Sequence, residues 1–375
     1  MTDSQKRRRK LRVGIIFGGR SGEHEVSLTS AKGIMSAIDQ TRYEVVPIGI
    51  TKTGEWLTGG DVHQRLLEAA AGHPVIVSAR ERIEPAAESA LALPIEATGP
   101  LDVVFPVLHG PFGEDGTVQG LFELVGVPYV GAGVMASAAG MDKAICKDIF
   151  RAHGLPIVIH RVFLRRQWQA DPASVLTECE TAMPYPMFVK PANLGSSVGI
   201  HKAKNQAELW AGLDDAARYD RKLIVEQGLE ARDIEVSVLG NDDPIASVPG
   251  EIIPSREFYS YAAKYLDNSS ELLIPAPLSP EHTGLIQNLA VLAFQALDCS
   301  GLARCDFLLE KSSGEVFINE VNTMPGFTPI SMYPKLWAAS GISYTELIDR
   351  LIELALERFE DKQQSQTTFD VATAE

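Results

Sequence analysis

A predicted β-hairpin near the C-terminus carries polar residues whose types and spacing suit a metal ion. Two apolar, β-prone runs, 302–310 and 315–322, flank a Ser-Ser-Gly turn, which predicts a hairpin whose loop is longer than two residues. With the turn centred on Ser313, two cross-strand pairs share one face of the hairpin: Asp306 with Glu320, and Arg304 with Asn322. Three apolar residues are expected further along the same face: Leu308, Ile318 and Val316.

The two facing carboxylates need a positive charge between them. Cross-strand Cβ atoms lie roughly 5 Å apart, and like charges placed directly opposite each other destabilise a sheet. Mg²⁺ suits this position, because it binds one or two carboxylates and completes its coordination with water and phosphate oxygens. The competing interpretation is a solvated strand face with ordinary charges, which explains the pair poorly because its neighbours on that face look buried.

A lysine at the end of a predicted strand precedes a loop rich in glycine and serine. Lys190 ends the run 187–190, and the loop follows at 191–199. Backbone N–H groups of such a loop can surround phosphate oxygens, and a lysine adds a point charge. The loop is not a Walker A motif, and a flexible surface loop is the alternative. Together with the metal hairpin and a second lysine, Lys143, the loop favours ATP.

Two further strand ends carry titratable groups. The segment 18–23 lacks the G-x-G-x-x-G spacing, and the next strand ends without an acid for a ribose, so we reject a dinucleotide-binding site. Glu23 is instead suited to hold an ammonium group, or else it is an exposed loop acid. His109 in another strand-end loop is either structural or part of a ligand site at this edge of the sheet.

The elements that would position these residues alternate between strands and helices in the first third of the chain. Strands are predicted at 11–17, 43–50, 101–108 and 128–130, and helices at about 27–39 and 117–125. This order predicts a parallel sheet with helices on both faces, which binds ligands at the C-terminal ends of its strands.

Beyond Gly140 the pattern changes. A helix is predicted from Lys143 to about residue 153, strands at 187–190, 222–227 and 233–239, and a helix that begins after the N-cap Ser279 and ends near residue 297. The segment 251–275 has no clear period and resembles a mobile loop.

Composition limits the classes of protein that the chain can belong to. Its 375 residues predict two or three domains, and 45% hydrophobic and 22% charged residues are typical of a soluble globular protein. A net charge of -15 without a basic stripe argues against nucleic-acid binding, and no segment reaches membrane-spanning length. Four cysteines without C-x-x-C spacing indicate buried thiols in a reducing compartment, so we expect a cytoplasmic protein.

Six motifs, in order along the chain, resemble those of the D-alanine–D-alanine ligase family of the ATP-grasp superfamily. They are Gly18-Gly-Arg-Ser-Gly-Glu-His-Glu-Val-Ser27, Leu108-His-Gly-Pro-Phe-Gly-Glu-Asp-Gly-Thr117, Met141-Asp-Lys143, Phe188-Val-Lys-Pro191, Gly195-Ser-Ser-Val-Gly199 and Asn319-Glu-Val-Asn-Thr-Met-Pro-Gly326. The resemblance extends from about residue 12 to 355. It implies an α/β fold: an N-terminal parallel-sheet (pre-ATP-grasp) domain followed by a two-subdomain ATP-grasp fold, with ATP between two sheets.

The resemblance also implies domain boundaries. The expected units are a disordered basic tail at 1–11, the N-terminal substrate domain at 12–138, the central ATP-grasp subdomain at 139–230, the C-terminal subdomain at 231–358 with a lid loop at 251–277, and a disordered tail at 359–375.

Site residues follow from the matching motif positions. Two Mg²⁺ ions, for which Mn²⁺ could substitute, would be held by Asp306, Glu320 and Asn322. ATP would contact Lys143, Lys190, Ser196, Ser197, Glu226, Gln227, Leu229, Asp233, Lys264, Phe307, Asn319 and Glu320. Asp233 stands where the family usually has Glu, which shortens its reach to the ribose. The amino-acid substrates would contact Glu23, His109, Lys264, Ser331 and Met332, and catalysis would involve Glu23, Ser196, Tyr265, Arg304 and the backbone N–H of Gly326.

The implied reaction joins two D-alanine molecules for peptidoglycan precursor synthesis. The first D-alanine carboxylate attacks the ATP γ-phosphate, and the amine of the second then attacks the acyl phosphate, which must be kept from water. The segment 258–265 resembles the lid of the family, in which Tyr265 would link to Ser196 and Glu23. We expect D-alanine and ATP as small-molecule substrates, no nucleic-acid or membrane partner, and a homodimer.

Two other functions compete with this one. A sister ligase would make D-alanyl-D-serine or D-alanyl-D-lactate, and the pair Lys264 and Tyr265 argues against D-lactate more strongly than against D-serine. A catalytically silent ATP-binding regulator would be expected to lack one member of the set Arg304, Asp306, Glu320 and Asn322, and all four are present.

Overall fold

Three β-sheets organise the part of the chain that the structure describes. The structure, a computed structural model, describes residues 9–71, 99–195, 198–253 and 271–366. Its strands are β1 (Leu11–Gly18), β2 (Tyr43–Ile50), β3 (Trp56–Thr58), β4 (Val103–Val107), β5 (His160–Leu164), β6 (Met187–Pro191), β7 (His201–Ala203), β8 (Lys222–Gln227), β9 (Ala231–Gly240), β10 (Ile245–Ala246), β11 (Gly250–Ile253), β12 (Glu271–Leu273), β13 (Gly301–Glu310) and β14 (Val316–Asn322).

Helices flank these sheets. They are α1 (His24–Ala37), α2 (Val62–Ala70), α3 (Thr117–Val125), α4 (Val134–Met141), α5 (Lys143–Ala152), α6 (Arg165–Ala170), α7 (Pro172–Ala182), α8 (Gln206–Tyr219), α9 (Pro280–Ala296), α10 (Met332–Ala339) and α11 (Tyr344–Gln363).

The first sheet has the strand order β3-β2-β1-β4, with β1 parallel to both β2 and β4. Apolar side chains cover both of its faces, as the predicted parallel sheet with helices on both sides requires. The short strand β3 adds an antiparallel edge that the sequence pattern did not indicate. At the end of β1, Gly18 has a φ of +93°, and a Cβ there would lie 2.1 Å from the Ile50 carbonyl oxygen, so only glycine can lead the chain into the next loop.

The second and third sheets are antiparallel. The second has the order β5-β8-β6-β7, and the third has the order β12-β11-β9-β13-β14, with β10 paired to β9. One hydrophobic core lies under the second sheet, and a separate one lies between the third sheet and helices α5 and α9. Helix α9 begins as predicted: the Ser279 side chain accepts from the His282 N–H, and Pro280 is the first helical residue.

Helix α11 corrects the predicted C-terminal tail. Residues 359–363 are the last part of this helix, which packs against α1, β4, β9 and β13. Its apolar face is fully buried in the core of the first sheet, and apolar residues recur along the helix at intervals of three and four: Leu347, Ile348, Leu351, Ile352 and Ala355. Since the burial extends over about two and a half turns, the helix is held firmly to its neighbours up to Ala355.

The predicted loop at 251–277 is also shorter than expected. Its two ends, 251–253 and 271–273, form the antiparallel pair β11 and β12. Each of these two stretches is too short for a periodic pattern to be recognised. Residues 254–270 lie outside the described residues, and so does most of the predicted basic tail.

All four cysteines are free and buried, as predicted. Cys179 lies in the core of the second sheet, whereas Cys146, Cys299 and Cys305 lie in the core of the third. Burial raises the pKa of the Cys146 and Cys179 thiols to about 12. In the described ranges, no helix combines the length and apolarity that would let it cross a membrane.

Candidate active site

The hairpin of β13 and β14 has the predicted register at its polar end. Asp306 pairs with Glu320, and Arg304 pairs with Asn322. Below them the register shifts, because Asn319 is an extra residue in β14 and forms a β-bulge. The polar face that holds the four pairing residues is called the site face of the third sheet below.

The bulge makes part of the predicted face wrong. Past Asn319, Ile318 pairs with Phe307, and both side chains lie in the core on the opposite side of the sheet, as does Val316. Of the three apolar residues expected beside the carboxylates, Leu308 alone keeps the alternation of β13 that leads to the site face. An extra residue in one strand inverts the face of every residue beyond it, and the pattern of apolar residues does not reveal it.

Phe307 is a second correction. Its side chain is 1% exposed within the core between the third sheet and α9, so it lies on the face opposite to Asp306. The predicted ATP contact by the Phe307 side chain therefore does not fit the structure.

Arg304 is fixed on the site face by two carboxylates. It donates to Asp306 through Nε and Nη2, at 2.7 Å each, and its Nε lies 3.0 Å from an oxygen of Glu235 on the neighbouring strand β9. Burial alone would lower the pKa of Arg304, but the charges of Asp306 and Glu235 raise it well above its ordinary value. The guanidinium is therefore a permanent, oriented positive charge.

The donor set around Asp306 fits a hard divalent cation. Asp306, Glu320 and Asn322 bring two carboxylates and one amide to the same face, and Asn322 Nδ2 donates to Asp306 at 3.0 Å. Oxygen ligands of this kind are those that Mg²⁺ and Mn²⁺ prefer. Within the described part of the chain, no cluster of three or more His, Cys, Asp or Glu side chains could hold a metal, so a site here depends on the amide as well.

Two lysines reach the same region from other elements. Lys143 begins α5, donates to the Leu194 carbonyl at 2.9 Å, and lies 3.5 Å from Glu320. Lys190 in β6 lies 2.6 Å from Glu226. Burial would lower the pKa of Lys190, but the charges of Glu226 and Glu320 raise it, so its ammonium stays charged.

The loop that contains Glu23 meets the middle of the glycine- and serine-rich loop. Glu23 is buried at the N-terminus of α1, and its carboxylate lies so close to two glycines that a Cβ would come within 2.7 Å of it at Gly110 and within 3.2 Å at Gly195. The exposed-acid alternative for Glu23 is therefore wrong. Ser21 joins this loop to the next by donating to the His109 carbonyl at 2.7 Å.

Glu114 is a second acid in this pocket that sequence analysis did not select. It accepts from the Gly110 N–H at 2.9 Å, and burial together with the nearby charge of Glu23 raises its pKa to about 8. Its place in the Gly113-Glu-Asp-Gly116 motif next to His109 was the available signal. At neutral pH Glu114 is mostly protonated, so it does not add a second negative charge next to Glu23.

The His109 ring is engaged by the protein on both sides. Nδ1 lies 3.0 Å from the Met324 carbonyl oxygen, and Nε2 lies 3.3 Å from the Ser30 hydroxyl. Burial lowers the pKa of His109 despite the charge of Glu23, so the ring is neutral. These contacts favour the structural alternative: His109 ties α1 to the segment that leads to Gly326.

The predicted oxyanion and carboxylate groups lie next to one another. Gly326 approaches Ser331 so closely that a Cβ there would lie 3.1 Å from the Ser331 hydroxyl oxygen. Ser331 also accepts from the Thr328 N–H at 3.1 Å and precedes Met332, the first residue of α10. The start of a helix is a favourable place for a carboxylate, because its first N–H groups have no partner within the helix.

The predicted adenine and ribose contacts lie where the second sheet leads into the third. Gln227 ends β8, Leu229 lies in the short connection, and Asp233 lies in β9 opposite Leu308 of the site face. Glu226, however, is buried, and its two carboxylate oxygens face the ammonium groups of Lys147 and Lys190. The remaining predicted site residues, Ser196, Ser197, Lys264 and Tyr265, lie outside the described residues.

Two more charged residues at the site were not predicted from the sequence. Glu235 follows Asp233 by two positions in β9, which gives both the same face, and Lys147 follows Lys143 by one helical turn in α5. Both spacings were visible in the sequence, but the ion-pair partners of Glu235 and Lys147 could be identified only from the fold.

Comparisons with known proteins indicate one and the same family along nearly the whole chain. Family models described as D-ala D-ala ligase N-terminus and C-terminus match residues 12–132 and 149–353. A protein of Heliobacterium modesticaldum named D-alanine--D-alanine ligase is 53% identical, over 96% of this chain and 98% of its own length.

Solved structures lead to the same family. A D-alanine-D-alanine ligase from Coxiella burnetii has a TM-score of 0.78 at 36% identity, covering 95% of this chain and 96% of its own. The VanG D-Ala:D-Ser ligase from Enterococcus faecalis also has a TM-score of 0.78, at 35% identity, covering 92% of this chain and 99% of its own. With two matching family models and a relative of more than 50% identity, this chain belongs to the D-alanine–D-alanine ligase family and has its ATP-grasp fold.

Proposed function

We propose that this chain is an ATP-dependent ligase that joins two D-alanine molecules and releases ADP and phosphate. The observation that carries the proposal is the closeness of Glu23 to Gly195, because it brings an ammonium-binding acid to the candidate phosphate loop. An amino acid held by Glu23 would therefore have its carboxylate close to a nucleotide phosphate. This is the arrangement that an acyl-phosphate mechanism needs.

In the first step, Glu23 holds the ammonium group of the first D-alanine. A carboxylate oxygen of that molecule attacks the γ-phosphorus of ATP, and ADP leaves. Lys143 and Lys190 neutralise charge on the phosphates, which is the main contribution a protein makes to phosphoryl transfer. The side chains of Asp306, Glu320 and Asn322 would hold the Mg²⁺ or Mn²⁺ ions, which supply further charge neutralisation when they are bound.

In the second step, the amine nitrogen of the second D-alanine attacks the acyl carbon. Phosphate leaves, and the attacking amine gives up one proton overall. The Arg304 guanidinium and the Gly326 backbone N–H stabilise the tetrahedral oxyanion, and Ser331 with the Met332 backbone holds the carboxylate of the second substrate. Ser196, Lys264 and Tyr265 complete the proposal as loop and lid residues.

The domain division is part of the same proposal. We assign residues 12–138 to substrate binding, 139–230 to the central subdomain and 231–358, together with the rest of α11, to the C-terminal subdomain. The product is a precursor for the bacterial cell wall, which is built from components made in the cytoplasm, and we propose a cytoplasmic homodimer.

The experiment that tests this function is D-alanine-dependent phosphate release from ATP with purified protein. D-lactate and D-serine are added as competing second substrates, and products are identified by mass. We expect D-alanyl-D-alanine as the main product and no phosphate release without D-alanine. The variant Arg304→Met should be inactive, whereas Arg350→Met, which removes an exposed arginine of α11, should keep normal activity.

Other outcomes would identify the competing functions. Nucleotide binding without D-alanine-dependent phosphate release would indicate the silent regulator. A main product that contains D-serine or D-lactate would indicate a sister ligase.

A further inference from the structure

Lys147 is a buried lysine that none of the assigned roles uses. It lies in α5 and is 1% exposed, although lysine is almost never fully buried unless it is paired. Its Nζ lies 3.1 Å from Glu226 and donates to the Asn319 carbonyl oxygen at 3.3 Å. The side chain therefore connects α5 with the second sheet and with β14 of the third.

Glu226 is shared between two lysines. One carboxylate oxygen faces Lys147, and the other lies 2.6 Å from Lys190, the candidate phosphate lysine. Burial alone would raise the pKa of Glu226, but the two ammonium groups lower it to about 2. The carboxylate is therefore ionised at any physiological pH.

The other titratable group next to Glu226 in the second sheet adds no charge. His160 pairs with Glu226 across β5 and β8. Its Nδ1 lies 3.3 Å from the Val158 carbonyl oxygen, and its Nε2 lies 3.2 Å from the Arg151 guanidinium, which can only donate. Burial lowers the pKa of His160, so the ring is neutral.

The charges of this cluster decide what Lys190 can offer to a ligand. Two lysines and one carboxylate sum to one positive charge, which faces the acids of the third sheet, Glu320 and Asp233. Without Lys147, Lys190 and Glu226 would form a neutral pair. The protein interior screens charge weakly. A Glu226 carboxylate paired with Lys190 alone would therefore hold the Lys190 ammonium more strongly than a carboxylate that is also paired with Lys147.

Both lysines also contact the bulge of β14. Lys147 donates to the main chain of Asn319, and Lys190 Nζ lies 3.5 Å from its side-chain oxygen. The next residue is Glu320, a candidate metal ligand. One buried network thus fixes a phosphate lysine and the strand that carries the metal ligand.

We infer that Lys147 is a positioning residue for nucleotide phosphates. By sharing Glu226 with Lys190, it leaves Lys190 a net positive charge for ATP. This inference rests on the proposed function, since it takes Lys190 to be a phosphate ligand.

Three variants test the inference: Lys147→Met, Glu226→Gln and the double variant. Binding of a non-hydrolysable ATP analogue with Mg²⁺, and of adenosine, is measured by calorimetry or competition. We expect Lys147→Met to weaken analogue binding about tenfold or more, equivalent to ~1.4 kcal/mol, with adenosine binding unchanged. The double variant again leaves one net positive charge, on Lys190, and should bind the analogue within about threefold of the original chain.

Controls separate charge from packing. Lys222→Met removes a lysine that is paired to Asp142 on the same strand as Glu226 and should leave binding of the analogue unchanged. Glu226→Gln alone places two like charges together without a counter-ion, so its melting temperature should fall, and the double variant should recover it.

Several results would overturn the inference. These are normal analogue binding by Lys147→Met, a double variant that binds no better than Lys147→Met, and an equal loss of adenosine binding. Failure of the proposed function gives a different result, because it would show as absent D-alanine-dependent phosphate release in the unmodified chain. The binding measurements need no turnover and are unaffected by that failure.

Discussion

The guanidinium of Arg304 is fixed by carboxylates of its own sheet. Asp306 accepts two hydrogen bonds from it, and a carboxylate oxygen of Glu235 lies 3.0 Å from its Nε. Glu320, which faces Asp306, is only 3.5 Å from Lys143 and is partly exposed. The two facing acids therefore have different roles. Both contribute negative charge to the site, but only Asp306 is also expected to contribute much to the stability of the fold.

We expect Glu320→Gln to abolish turnover while the fold remains intact. Activity should fall about 100-fold or more, because a preorganised charge is lost at the site of phosphoryl transfer. The free energy of unfolding should change by less than about 1 kcal/mol, since partly exposed ion pairs contribute little. Phosphate-release assays and urea unfolding without metal check both parts.

Asp306→Asn provides the contrast. It removes the bidentate partner of a buried arginine, so we expect a loss of about 3 kcal/mol or more in the same unfolding experiment. Equal stability of the two variants would contradict the assignment of Arg304 to Asp306.

Glu114 should make the stability of the protein depend on pH. Its pKa is raised from 4.5 in the unfolded chain to about 8 in the fold, so the folded protein binds the extra proton between these values. The stability of the original chain should therefore fall as pH rises from about 5 to 8, and Glu114→Gln should lack this part of the fall. Melting temperatures across this range would show the variant gaining on the original chain as pH rises, and a constant difference would contradict the assignment.

At the scale of elements, the bulge in β14 joins two requirements. The strand must keep Ile318 and Val316 in the core, and it must also present Asn319 to two lysines. The extra residue Asn319 meets both requirements. On either side of it, each residue of β14 still pairs with a residue of β13 whose side chain lies on the same face of the sheet.

Deletion of Asn319 should separate fold from function. Without the extra residue, Glu320 still pairs with Asp306, and Ile318 still pairs with Phe307, so a regular ladder forms and the melting temperature should fall little. Nucleotide binding should weaken, because the contacts from Lys147 and Lys190 to the bulge are lost. A deletion variant that fails to fold, or that binds ATP normally, would show that the bulge has another purpose.

The elements show what a sequence can predict and what it cannot. The ends of β2, β8 and α3 were predicted to the residue. The pairing of Asp306 with Glu320 was also predicted, although the turn alone does not fix it, because the bulge lies between this pair and the turn. The bulge was missed, because no periodicity indicates where an extra residue is placed, and strands of two or three residues such as β3 and β10 are too short to show a period.

At the scale of the whole molecule, α11 joins the beginning and the end of the chain. It packs on β4 of the first sheet and on β9 and β13 of the third. Arg42, the residue before β2, pairs with Asp349 and Glu353 of the helix, and the Arg358 guanidinium lies over the Tyr129 ring, 4.3 Å from its centroid. Contacts between residues about 300 positions apart leave no local pattern in the sequence. For this reason the last turn of α11 was predicted to be part of a disordered tail.

Leu351→Ala should therefore destabilise the first sheet as well as the helix. The side chain is fully buried, and a Leu-to-Ala change in such a core costs about 2–5 kcal/mol. We expect one lowered unfolding transition when the signal of Trp56 in the first sheet and that of Trp337 in α10 are followed in single-tryptophan variants. Glu357→Ala on the exposed side of the helix is the control, and loss of only one of the two signals would show that α11 belongs to one domain alone.

Because the four thiols are buried in two different cores, their labelling can report when each core opens locally. Cys179 is in the core of the second sheet and the other three cysteines are in that of the third, so a thiol reagent can modify each group only when the surrounding core opens. Mass spectrometry after brief labelling would count one added group for opening of the second sheet and three for the third. If a bound nucleotide holds the two sheets together, it should slow both counts in parallel, whereas D-alanine alone should leave them unchanged.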